Sequence, residues 1–248
     1  CRLIQSKRGI FTKSDLQAAL RPPDIHFPRP RLVCIENTHN RGGGSIWPME
    51  KIVKIAAFAR QDGISMHLDG ARIWNASVAA GIPESEYARQ FDSISVCFSK
   101  GLGAPVGSAL AGTRTFIERA RRFRKQFGGG MRQAGILAAG ALFALEHHRD
   151  RLAEDHANAR VLAEHVHGAP GVEVDCEDVE TNIVLLRVPD GSAPVWANRL
   201  ARNGVHVLSA APNTLRAVTH LDVTRDQVHE AAGTIRGVAQ ELLSESGS

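Results

Sequence analysis

Ser65-Met-His-Leu-Asp-Gly-Ala-Arg72 and, further on, Ser93-Ile-Ser-Val-Cys-Phe-Ser-Lys-Gly-Leu-Gly103 decide the architecture. Each opens with a short run of strand length and composition and then breaks into a polar, glycine-containing cluster, the pattern of a strand ending in a loop. Leu32-Val-Cys-Ile35 is a third such run, followed by Asn37-Thr-His-Asn40. The three runs read as buried strands. Between the first two in chain order, Pro48 to Gln61 carries Ile52, Val53, Ile55, Ala56 and Ala59 at helical spacing, with proline in the tolerated first turn. Strand, helix, strand is the unit of a mostly parallel sheet. In such sheets, ligands collect at the carboxyl ends of the strands. The segments 37–40, 69–72 and 99–103 are therefore predicted to share one edge and to form a site.

Farther out, Arg114 to Phe127 reads as a helix, Gly128-Gly-Gly130 breaks it, and Met131 to His148 reads as an alanine-rich second helix. A helix over Leu152 to Val166 stops at Gly168-Ala-Pro170. Beyond it come strand patterns at Val172–Val174, Ile183–Arg187, Val205–Leu208 and Leu215–Val218, a helix near Ala193–Asn203, and a closing helix from Thr224 to Leu243. The expected organisation is a large α/β domain over residues 1–148 and a small α+β domain over 149–248. There is no internal repeat and no low-complexity tract.

The chain has 248 residues, 43% hydrophobic and 23% charged, which is globular composition rather than that of a disordered chain. The net charge of +4 is spread out apart from Arg119-Ala-Arg-Arg-Phe-Arg-Lys125, whose spacing suits a solvated helix face. A nucleic-acid binder would show a domain-wide basic footprint and a recognisable module, so none is expected as a partner. Cys1, Cys34, Cys97 and Cys176 form no Cys-x-x-Cys pair, and no metal-ligand set stands out. Buried free thiols in a reducing, cytoplasmic compartment are expected. No apolar stretch reaches bilayer length, so no membrane association is expected.

Lysine, aspartate and arginine at the predicted site suggest chemistry on an amino acid. An imine-forming enzyme needs an amine that is uncharged part of the time, a carboxylate beneath a pyridine nitrogen, and a cation for the substrate carboxylate. Lys100, Asp69 and Arg72 supply these groups, and the small residues around Lys100 allow close approach of a ligand to the backbone. Taken singly, each also reads as ordinary: a surface lysine at a strand end, and an Asp–Arg ion pair in a turn.

Taken as an ordered set, Glu36-Asn-Thr-His-Asn40, His67-Leu-Asp-Gly-Ala-Arg-Ile-Trp-Asn75, Ser99-Lys-Gly-Leu-Gly-Ala-Pro-Val-Gly-Ser108, Gly128-Gly-Gly-Met-Arg-Gln133 and Leu215-Arg-Ala-Val-Thr-His-Leu-Asp222 resemble the low-specificity L-threonine aldolases of the β-eliminating lyase group. The resemblance implies the fold type I (aspartate aminotransferase type) architecture of PLP-dependent transferases and pyridoxal 5'-phosphate (PLP) as cofactor. It implies cleavage of L-threonine or L-allo-threonine to glycine and an aldehyde, in threonine catabolism or glycine biosynthesis. Lys100 is then the Schiff-base lysine and Asp69 the partner of the ring nitrogen. Arg72 lies near the phenolic oxygen and the substrate carboxylate, and Arg216 is the main carboxylate clamp. Lys125 and Arg132 flank a glycine turn directed at a phosphate of a neighbouring subunit, and His26 reaches an adjacent site near the substrate hydroxyl. A homodimer or homotetramer with shared sites follows. The family also carries on the order of a hundred further residues upstream, with a Gly-Thr phosphate cup and a ring-stacking histidine, so the sequence is expected to be a truncated record. Alternatives are another β-eliminating lyase acting on an L-amino acid, or a non-catalytic relative.

Overall fold

Strands whose apolar residues fall on alternate positions can bury one face and leave the other open. In the first unit, Leu32–Glu36 (β1), Ser65–Gly70 (β2), Ser93–Cys97 (β3) and Ser108–Gly112 (β4) form one sheet in that spatial order. β1, β2 and β3 are parallel, while β4 runs antiparallel to β3. Val33, Ile35, Met66 and Leu68 are buried, whereas Leu32, Cys34, Ser65 and Asp69 are exposed. The expectation of wholly buried strands is therefore corrected. Helix Met49–Gln61 (α2) packs on β2, and its own buried residues are Ile52, Ile55, Ala56 and Ala59. The expected burial of the thiols is corrected as well: Cys34 lies on the open face of β1, Cys1 is exposed, and Cys97 and Cys176 are half-buried, all four free.

The structure, a computed structural model, describes residues 1–246. Its contacts divide the chain into two compact units, one of Cys1–Gly42 with Ile46–Asp150, the other of Gly43–Ser45 with Arg151 onward. The first unit also holds helices Lys13–Ala19 (α1), Ile73–Ala80 (α3), Glu84–Ala88 (α4), Arg114–Gln126 (α5) and Gly135–His147 (α6). α1 begins in a capping box: Thr12 accepts from the Asp15 amide and Asp15 accepts from the Thr12 amide. α6 starts at Gly135 rather than Met131 because Gln133 takes a left-handed φ of 49° that interrupts the helical path.

The second unit is built on a three-stranded antiparallel sheet, Ile183–Arg187 (β5), Leu208–Ala211 (β6) and Thr214–Val218 (β7), in the order β5-β7-β6. Helices Leu152–Val166 (α7), Ala193–Arg202 (α8) and Arg225–Ser246 (α9) share one core with it, including Leu162, Leu186, Trp196, Leu215 and Ile235. Val172–Val174 is not a strand; only Glu173 forms an isolated bridge, to Arg187. The run expected at Val205–Leu208 forms its strand later, at β6, because Gly204 carries a left-handed turn out of α8 and Val205 is hydrogen-bonded back to Leu200. Thr181 Oγ1 donates to the Gly44 carbonyl at 2.8 Å, tying the segment 43–45 into this unit.

His156 on α7 is buried, and that burial, with Arg160 nearby, pushes its pKa down to about 4. A depressed folded pKa favours the neutral ring. The stability it contributes is present above the usual 6.5 and lost as the pH falls to about 4. The full loss is about 3 kcal/mol. Denaturant midpoints across this window should fall with pH in the native chain and much less in His156→Phe; equal slopes would overturn the assignment.

Candidate active site

The parallel register levels the strand ends. Glu36 stands opposite Asp69, and Asp69 opposite Ser95, so β3 has two further residues before Phe98 turns away into Ser99 and Lys100. The Asn37 amide donates to the Asp69 carbonyl at 2.9 Å, which prolongs the β1–β2 ladder into the loop. The segments after β1, β2 and β3 thus meet at the carboxyl edge of the sheet.

Asp69 projects to the open face. Its Oδ1 accepts the Ala71 amide at 3.0 Å, and no cation is bonded to it among the described residues. Arg72 ends the same segment and is largely buried, with 11% of its side chain exposed. It is steered by Asn40, whose Oδ1 accepts from Nη2 at 3.3 Å, and by Glu36, whose Oε1 lies 3.9 Å from Nη1. Glu36 also accepts the Asn40 amide at 3.0 Å and lies 3.7 Å from His39 Nε2. Among the described residues no Asp69–Arg72 ion pair forms. Arg72 pairs with Glu36 instead, leaving the Asp69 carboxylate to the open face. Glu36 was missed from sequence although it opens the quoted Glu36–Asn40 cluster.

Lys100 is exposed and makes no ion pair among the described residues. Its turn is closed by the Gly103 amide on the Lys100 carbonyl (2.8 Å) and the Ala104 amide on the Phe98 carbonyl (3.0 Å). Leu102 is buried beneath it. Cys97, just before the turn, is pushed up by burial, but hydrogen bonds from Ser99 and Ser108 and the Lys100 charge hold its thiol below the usual range overall.

Among the described residues, the other expected residues of the first unit are not joined to this cluster by hydrogen bonds or ion pairs. His26 sits in an exposed turn, its amide donating to Asp24 Oδ1 at 2.7 Å. Lys125 and Arg132 are exposed on either side of the glycine triplet. At the triplet, two amides serve the break between the two helices. The Gly128 and Gly129 amides donate to the Lys125 and Arg124 carbonyls at 3.2 and 2.8 Å, with Gly128 at φ 82°. Those donors cap the end of α5 and are not aimed at a ligand. Arg216 lies on β7 in the second unit. Its Nε is buried without a partner, and burial lowers its pKa.

The free amine of Lys100, the free carboxylate of Asp69 and a guanidinium held by its own partners fit PLP, which needs an imine-forming amine and an acceptor for its ring N–H.

The fold is that of the PLP-dependent transferases, fold type I. A threonine aldolase from Leishmania major superposes with a TM-score of 0.78 at 19% identity, over 94% of this chain and 69% of that one. The chain belongs to the beta-eliminating lyase family, whose profile matches residues 1–189. It is 45% identical over 224 residues to the low specificity L-threonine aldolase of Escherichia coli K12, covering 90% of this chain and 65% of the relative. It is 41% identical over 226 residues to low-specificity L-threonine aldolase 1 of Arabidopsis thaliana, covering 89% and 63%. The chain thus spans somewhat less than two thirds of the length of these relatives. Among the described residues no helix is long and apolar enough to cross a membrane.

Proposed function

We propose that this chain carries the site of a PLP-dependent aldolase that cleaves L-threonine and L-allo-threonine to glycine and an aldehyde. The observation that carries the reading is the Lys100 amine and the Asp69 carboxylate, neither in an ion pair among the described residues, at the carboxyl edge of a fold type I sheet. The names of its relatives support the same reading. When bound, PLP supplies an electron-accepting ring conjugated to the α-carbon of the amino acid.

The residues of the chain have separate tasks. Lys100 would hold the cofactor through its amine. Asp69 would accept the ring N–H and favour the protonated nitrogen. Arg72, steered by Glu36 and Asn40, would offer its guanidinium to the cofactor. Arg216 binds the substrate carboxylate, supported by its lack of any carboxylate partner of its own among the described residues. Lys125 and Arg132 serve the cofactor phosphate, and His26 the substrate hydroxyl, in the site of an adjacent copy. Support for a homodimer or homotetramer is the exposure of these three residues, together with Phe127, Met131 and Ile136 standing 85%, 62% and 79% exposed around the α5–α6 connection.

The test adds PLP to the purified chain, reduces with borohydride and maps the modified peptide, alongside an assay for glycine and acetaldehyde from threonine. Pyridoxyl label at Lys100 with both products is expected. Label at another lysine, or products in amounts equal to a protein-free control, would overturn the reading.

A further inference from the structure

The Lys100 turn is fastened from outside by the end of α6. His148, the residue that caps this helix, has Nδ1 2.7 Å from the carbonyl oxygen of Leu102, two residues past Lys100. A carbonyl only accepts, so Nδ1 carries the proton and donates. The ring is steadied edge-on by Phe143, with centroids 5.5 Å apart. The adjoining Arg149 reaches the other way. Its Nε and Nη2 meet the two oxygens of Glu84 at 2.8 and 3.1 Å, and Nη2 also lies 3.3 Å from Ser77 Oγ. Ser77 belongs to α3, which starts directly after Arg72, and Glu84 opens α4. Two consecutive residues therefore tie one helix end to the Lys100 turn and to α3, the helix that follows the Asp69–Arg72 segment. Pro105 closes the same loop against Gly140 of α6, where a Cβ would stand 3.3 Å from the proline Cδ.

We propose that His148 and Arg149 form a clasp that sets the Lys100 turn against the Asp69–Arg72 segment, with His148 a positioning residue for the reaction. The role of His148 in catalysis rests on the assignment of Lys100 above; the mechanical part stands on the contacts alone. An amine that must meet a cofactor aldehyde and then a substrate loses rate when its backbone wanders, even if its chemistry is unchanged. The bidentate Arg149–Glu84 pair gives the clasp a fixed direction that a single contact would not.

Substituting His148 separates the bond from the bulk. His148→Asn places an amide nitrogen at the same step along the side chain as Nδ1, whereas His148→Leu places a methyl there. Hydrogen exchange followed by mass spectrometry on the chain without added cofactor should show the Gly103 and Ala104 amides exchanging roughly tenfold faster in His148→Leu and near the original rate in His148→Asn. With PLP added, borohydride labelling at Lys100 should slow in the leucine variant and recover in the asparagine one, and kcat should fall with little change in KM. Arg149→Met, the second variant, should speed exchange over residues 73–80 and slow the same labelling while leaving α7 unaffected. If leucine and asparagine at 148 behave alike in exchange, or if neither arm alters the turn, the clasp is wrong. Absence of label at Lys100 in the unsubstituted chain would count against the Lys100 assignment, and the exchange comparison would still decide the clasp.

Discussion

Lys100→Ala is expected to remove all borohydride-trapped pyridoxyl label from the 99–107 loop and to lower threonine cleavage by at least about 10³-fold, the scale of losing a covalent anchor and its proton-transferring amine together. The fold should be indifferent. The Lys100 side chain is exposed and has no ion pair to lose among the described residues, and surface replacements away from such contacts usually stay within about 0.5 kcal/mol. A circular dichroism melt coinciding with that of the unsubstituted chain, with the label gone, is the expected result. Retained label would place the covalent link elsewhere. A large drop in melting temperature would make the side chain structural and remove the reason for reading its freedom as readiness for a ligand. Methylamine added to the variant should restore part of the turnover, because an external amine can stand in for the missing one but not for a lost fold.

The sheet that positions Lys100 was legible because strand-length runs and the polar clusters after them repeat three times, and α7 was read to the residue because its apolar spacing is complete and Gly168 follows it. Other elements were hidden for identifiable reasons. β4, Ser-Ala-Leu-Ala-Gly, has all five residues exposed, so no buried face imposes an alternating pattern on it. The start of α1 was available in Thr12-Lys-Ser-Asp15, a capping-box spacing with a carboxylate three residues on. The site divides the same way. Asp69, Arg72 and Lys100 follow strands directly, so strand ends alone predict their neighbourhood. Glu36 as the partner of Arg72, and His148 bonded to the Lys100 turn, are contacts across 36 and 46 positions of sequence. Residue spacing carries no signal for such distances. The glycine triplet shows the opposite hazard: its composition fits an anion loop, yet two of its amides are consumed by the helix they end.

Arg151→Met should be the most destabilising single replacement at a charged position of the second unit. Asp155 in the first turn of α7 is fully buried, and Arg151 Nη2 lies 2.8 Å from its Oδ1, with Nη1 at 3.4 Å from Oδ2. Burial raises the pKa of this carboxyl, and Arg151 works against the rise. Taking the guanidinium away leaves a buried carboxylate without its main counter-charge, which costs about 3–5 kcal/mol. The pH dependence has a definite sign. With the folded pKa raised further, the charged carboxylate is the unfavourable form, so the loss is largest at neutral pH and shrinks as acid protonates Asp155 in the folded state. Denaturant midpoints of the variant should therefore approach those of the parent on acidification. The pairing of Arg149 with Glu84 offers the contrast, since its partners are 36% and 30% exposed and water can replace part of what is lost. A double variant, Arg151→Met with Asp155→Leu, should regain most of the stability because no buried charge then remains. If the double variant is as weak as the single one, packing around residue 151 rather than the stranded charge is the cause.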